Sequence, residues 1–113
     1  MKEIAEKYFE NFNNHDIVGL SDLYTDDIVL KDWTTTLVGK DEVLSGNSNA
    51  FSTLQHISIN VKNIYESGSG VACEIDISIV NEEESILLNV VDVLTINEEG
   101  KISEVRAYTL NPW

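Results

Sequence analysis

Apolar residues recur at helical spacing along the first dozen positions. Ile4, Ala5, Tyr8, Phe9 and Phe12 fall on one stripe, which predicts an amphipathic helix over 2–13. The polar run Asn13-Asn14-His15 breaks the stripe, and Asp16 is placed to cap a second short helix carrying Ile17, Leu20, Leu23 and Tyr24. Asp26-Asp27 then leads into a short strand over 28–33. Past Gly39 a weaker helix is predicted at about 40–52, with Val43, Leu44 and Phe51 as its apolar residues; Gly46 and the neighbouring Asn and Ser lower its propensity. Beyond it the period changes to two. Ile57, Ile59 and Val61 share one face, and Val71, Cys73, Ile75, Ile77 and Ile79 share another, with Glu74, Asp76 and Ser78 opposite. Turn-forming residues at 66–70, 81–85 and 97–100 separate the strands. A helix pair, a short strand, a helix and a four-strand antiparallel meander make an α+β fold. The expectation is a cone-shaped, curved antiparallel sheet packed on three helices, with one open apolar mouth suited to a small ligand.

At 113 residues the chain is expected to form a single domain over 1–113. Its 20 acidic and 7 basic side chains give a formal charge of −13. That balance disfavours nucleic acid and anionic membranes as partners, because both recognise clustered cations. Heavily phosphorylated substrates are disfavoured for the same reason. No apolar run approaches the ~20 residues of a membrane helix, and the opening MKEIAEKYFENF lacks the apolar core of a secretory signal. Cys73 has no second cysteine to pair with, which fits a reducing compartment. A cytoplasmic location is the expectation. The two His and one Cys lack metal-ligand spacing, so no metal site is expected.

Two aspartates break the inward pattern. Over 86–96 the even positions read Ile86, Leu88, Val90, Asp92, Leu94, Ile96, one carboxyl in an apolar row. The earlier strand reads Ile28, Leu30, Asp32 at the same parity. A buried carboxylate must find donors or take up a proton, and desolvation raises its pKa toward the range that acid–base chemistry needs. The alternative is structural, with each Asp wetted at a strand end or accepting backbone N–H bonds. Tyr8 puts a third polar group in the apolar stripe of the first helix, beside Phe9 and Phe12.

The segments Lys7 to Asn13, His15-Asp16-Ile17, Leu23 to Asp27 and Leu30-Lys31-Asp32 resemble the opening of the nuclear transport factor 2-like superfamily, nearest to its ketosteroid isomerase and SnoaL-like branches. Val91-Asp92-Val93-Leu94, Gly100-Lys101-Ile102 and Arg106-Ala107-Tyr108 resemble its end. The resemblance implies one SnoaL-like domain of cystatin-like, or α+β-barrel, architecture. It also implies roles. Tyr8 matches the oxyanion-hole tyrosine of the isomerase, Asp32 its general base, and Asp92 the aspartic acid kept protonated by apolar surroundings. Tyr24 matches a tyrosine that supports the first. Such a site moves a proton alpha to a carbonyl and needs no cofactor.

The departures bear on substrate. Trp33 stands where the isomerase has proline, which puts a bulky side chain at the mouth. Gly46 and Asn47 replace large aromatic pocket residues on the third helix. Phe12, Trp33, Asn47 and Val90 are expected to line the pocket and Tyr24 to support it. His56, Cys73 and Arg106 are read as structural or surface residues. The sequence thus points to a small cofactor-independent enzyme acting by proton transfer on a neutral apolar carbonyl compound, either an isomerase or a related cyclase or epoxide- or water-adding enzyme. A non-catalytic ligand-binding or dimerisation module is the alternative. Relatives dimerise through the outer sheet face, and Leu87, Asn89, Val91 and Val93 form a mixed row that suits a homodimer there.

Overall fold

The computed structural model describes residues 1–112. Its elements run α1 (Lys2–Asn13), α2 (Ile17–Leu23), β1 (Tyr24–Lys31), β2 (Thr36–Val38), α3 (Lys40–Thr53), β3 (His56–Glu66), β4 (Gly70–Val80), β5 (Ser85–Ile96) and β6 (Ile102–Thr109). The six strands form one curved, unclosed sheet in the order β2-β1-β6-β5-β4-β3, and the three helices pack against it. The meander β3 to β6 is antiparallel throughout. β1 joins it by parallel pairing with β6, so the sheet is mixed where a purely antiparallel one was expected. The α3 crossover accounts for this, since a strand followed by a helix can re-enter a sheet beyond the whole meander.

Local chemistry sets the helix boundaries. Asp16 caps α2 by accepting the Gly19 N–H at 2.9 Å, and His15 just before it takes a left-handed φ of 55° to turn the chain out of α1. Gly39, with φ 91°, starts α3, whose first turn carries Asp41 and Glu42 against the helix dipole. The end of α1 is tied to the edge strand β3 by two side-chain bonds. Asn13 Nδ2 donates to the Ile59 carbonyl at 2.8 Å, and the Ile59 N–H donates to Asn13 Oδ1 at 2.7 Å. These bonds fix α1, and with it Tyr8, over the concave face.

Element boundaries shift. Tyr24 is the first residue of β1 rather than part of the second helix, with extended backbone (φ −91°, ψ 145°) that turns its ring into the core. Val61 shares the face of Ile57 and Ile59, opposite buried Ile75, but on this edge strand it is 36% exposed; the register then slips between Val61 and Asn63 and the inward face resumes at Ile64, opposite Cys73. The segment 36–38, between the expected strand and the third helix, is the edge strand β2.

The inward rows of the meander are as the parity argument requires. Leu88, Val90, Asp92, Leu94 and Ile96 of β5 are buried, together with Val71, Cys73, Ile75 and Ile79 of β4. They pack on Tyr8, Phe9 and Phe12 of α1, Leu20 and Leu23 of α2, and Val43 of α3. No helix among the described residues is long and apolar enough to cross a membrane.

Candidate active site

Between α1, α3 and the concave sheet lies a cavity of about 640 Å³. Tyr8 and Phe12 enter it from α1, Leu30 from β1, Asp32 to Thr35 from the β1–β2 turn, Asn47 and Ala50 from α3, and Asp92 from β5. Tyr8, Asp32 and Asp92, far apart in sequence, thus share one cavity. No Lys, Arg or His among the described residues lines it.

The two aspartates are held differently. Asp32 sits one residue past β1, half-buried at the mouth. Its Oδ1 accepts three hydrogen bonds, from the Thr34 N–H at 2.7 Å, the Thr34 hydroxyl at 2.9 Å and the Thr35 N–H at 2.9 Å. This is an Asx-type turn, and it holds the carboxyl as an acceptor. All three bonds fall on one oxygen, so Oδ2 remains the atom for a ligand. Asp92 is 5% exposed in the middle of β5, beside buried Cys73 of β4. No donor among the described residues bonds its carboxyl. Burial, and then the charge of Asp32, push its pKa up to about 7. The same environment raises the Cys73 thiol to about 12, through burial first and Asp92 second.

Tyr8 is 3% exposed, and its phenol is raised well above the ordinary tyrosine range, first by burial and then by Tyr24 and Asp92. It remains a neutral hydroxyl at any ordinary pH. Its ring lies 6.3 Å from that of Tyr24 and meets Phe9 edge-on at 5.1 Å. Tyr24 does not line the cavity but stands behind Tyr8, and its hydroxyl donates to Asn47 Oδ1 at 2.8 Å. Burial raises the Tyr24 phenol too. Phe12 forms another wall, edge-on to Phe51 at 5.0 Å.

The remaining sequence-derived residues divide. Trp33 lines the cavity at its mouth, half-buried against the core. Asn47 lines it from α3. Val90 does not. It is buried two positions before Asp92 and belongs to the core cluster. Cys73 is core as read, and Arg106 pairs with Glu104.

The sequence reading missed the partnership of Tyr24 with Asn47. Asn47 lies four residues after Val43 on the inward stripe of α3, a polar residue at an apolar position. The test that singled out Asp92 on a strand would have found it on the helix. The threonines that hold Asp32 were also missed.

Residues 5–105 match the family model of the SnoaL-like domain. The chain belongs to that family. Its fold is that of the nuclear transport factor 2-like superfamily. This SnoaL-like chain is similar in structure to a putative SnoaL-like polyketide cyclase from Shewanella denitrificans, at 17% identity and TM-score 0.85, over 96% of this chain and 88% of the other. It is similar to an LEH-like epoxide hydrolase from M. tuberculosis, at 16% identity and TM-score 0.85, over 95% and 80%. It also resembles a hypothetical protein of ketosteroid isomerase-like fold from Catenulispora acidiphila, solved with trimethylamine, at 14% identity and TM-score 0.85, over 94% and 84%. No curated protein matches the chain in sequence. At these identities the likeness shows the fold, and function must be argued from the site.

Proposed function

We propose that this SnoaL-like protein is an acid–base catalyst that moves a proton on a small neutral carbonyl compound bound between Tyr8, Asp32 and Asp92. The contrast between the two aspartates carries this reading. One cavity holds a carboxyl with three donors on Oδ1 and a second carboxyl with none, pushed up to about 7 by burial and by the first. Environments that differ in this way divide the base from the acid.

Asp32 Oδ2 takes a proton from the carbon alpha to the carbonyl, and the C–H electron pair moves onto the carbonyl oxygen as an enolate. Protonated Asp92 and the Tyr8 hydroxyl donate to that oxygen as charge builds, each contributing on the order of a few kcal/mol in a water-poor site. Tyr8 directs its proton to the ligand oxygen, while Tyr24 keeps its bond to Asn47. Asp32 then returns the proton to the same or another carbon. The step balances within the site and calls for no cofactor. A lining without cations among the described residues suits a neutral substrate and gives no counter-charge to a carboxylate or phosphate. The reading extends to a homodimer formed through the outer sheet face, where Leu87 and Tyr108 are 56% and 57% exposed.

The test is solvent deuterium exchange at the alpha carbon of 2-tetralone, followed by NMR. Wild type is expected to accelerate exchange above buffer, Asp32→Asn to abolish the acceleration and Tyr8→Phe to reduce it at least tenfold. Exchange at the buffer rate, with 2-naphthol still bound, would favour the non-catalytic ligand-binding module.

A further inference from the structure

We propose that Asn47 is a second ligand-contacting residue of this cavity, its side-chain N–H groups donating to a ligand oxygen other than the carbonyl held by Tyr8 and Asp92. The inference rests on the reading that the cavity holds a carbonyl compound, and it narrows the ligand class to compounds carrying a second oxygen acceptor.

A carboxamide has one acceptor oxygen and two N–H donors on the same nitrogen. In Asn47 the oxygen is committed, because Oδ1 accepts the Tyr24 hydroxyl at 2.8 Å in a buried setting. The Tyr24 hydroxyl is the donor of that bond, which fixes the end of the amide that faces away from Tyr24.

That end is the nitrogen. Asn47 is only 7% exposed and lines the cavity. Nδ2 has no hydrogen-bond partner among the described residues. It is not sealed into the protein either, since among the described residues the fully buried side-chain polar atom without a partner is Thr25 Oγ1. Nδ2 therefore opens onto the cavity. A donor nine-tenths buried and without a protein acceptor is satisfied by water or by a ligand oxygen, and a ligand lacking that oxygen leaves it unpaired. Among the lining residues Tyr8, Asp92 and Asn47 are the buried ones with a polar group, whereas Thr34, Thr35, Asn49 and Thr53 are exposed. Three buried donors, two directed to the carbonyl oxygen and one on α3, describe a neutral ligand with a carbonyl and a separate ketone, ether or hydroxyl oxygen.

The experiment is calorimetric titration of wild type and Asn47→Leu with 2-naphthol and with a set of methoxy-2-naphthols differing in the position of the methoxy oxygen. One isomer is expected to bind wild type about fivefold tighter than 2-naphthol, and Asn47→Leu to lose that preference while still binding 2-naphthol. In ¹⁵N-labelled wild type the favoured isomer should move the Asn47 side-chain amide protons downfield, a readout that needs no variant to fold. Isomers that bind no better than 2-naphthol and leave those protons unmoved overturn the proposal. If 2-naphthol itself still binds and Tyr8→Phe weakens it, the proton-transfer reading survives that result. If no naphthol binds wild type, both readings fall.

Discussion

Cys73 and Asp92 are register partners across β4 and β5, and both side chains are buried on the concave side of the sheet. A thiol is a weak donor at best, so this neighbour desolvates Asp92 without compensating its charge. The folded pKa of about 7 therefore stands above the ~3.9 of an unfolded aspartate. Between those values the native protein holds a proton that the unfolded chain has released, so the Asp92 contribution to stability falls as pH rises from about 4 to about 7 and is level above that. Asp92→Asn carries no such penalty. Its stability relative to wild type should improve between pH 4 and pH 8, by at most roughly 4 kcal/mol, in urea unfolding at the two pH values. Turnover should change in the opposite sense for wild type, declining above pH 7 as Asp92 loses the proton it donates.

Asp32 serves both the turn and the proposed chemistry, and two substitutions separate these roles. Asparagine retains an Oδ1 that can accept from Thr34 and Thr35, whereas alanine retains nothing. Asp32→Asn should unfold within about 0.5 kcal/mol of wild type. Asp32→Ala should lose about 1 kcal/mol, the usual worth of exposed turn bonds. Both should lack exchange activity. Denaturant melts alongside the tetralone assay check the pair.

At Gly70 the backbones of β4 and β5 approach closely. A Cβ there would lie 2.0 Å from the Leu94 carbonyl oxygen, and backbone cannot move aside as a side-chain tip can. Gly70→Ala should cost on the order of 2–4 kcal/mol. Because Leu94 is two residues from Asp92, ligand affinity should fall as well. Thermal unfolding and naphthol titration report the two effects.

The outer face of β5 and β6 leaves Leu87 and Tyr108 in solvent in the single chain. If this is the homodimer face, wild type should scatter light as a dimer and Leu87→Asp as a monomer with unchanged circular dichroism. A monomeric wild type would count against the interface.

Much of this arrangement was legible in the sequence because strand parity and helical stripes report which way a residue points. Asp92 and Tyr8 interrupt clean apolar patterns, and both are where those patterns place them. Tyr24 was assigned to the wrong element because Leu20, Leu23 and Tyr24 satisfy helical spacing while the chain extends at Tyr24. The bulge after Val61 resets parity, so that Ile64 resumes the inward face, and it leaves no mark in a period-two count. The parallel β1–β6 pair was out of reach for another reason, since the partner of a strand depends on contacts about 75 residues away, as between Val29 and Glu104. Asn47 was noticed for what it replaces in relatives, whereas its bond to Tyr24 depends on a meeting of α3 with β1 that no local pattern records.

β3 ends the sheet, and a terminal strand offers its spare amide and carbonyl to any extended chain that approaches. At Ile59 both groups are already occupied by the carboxamide of Asn13, which mimics the strand that is missing. One side chain therefore anchors the helix that carries Tyr8 and shields an adhesive border from polymerisation. A lineage that lost it would face a looser Tyr8 and stickier molecules in the same step.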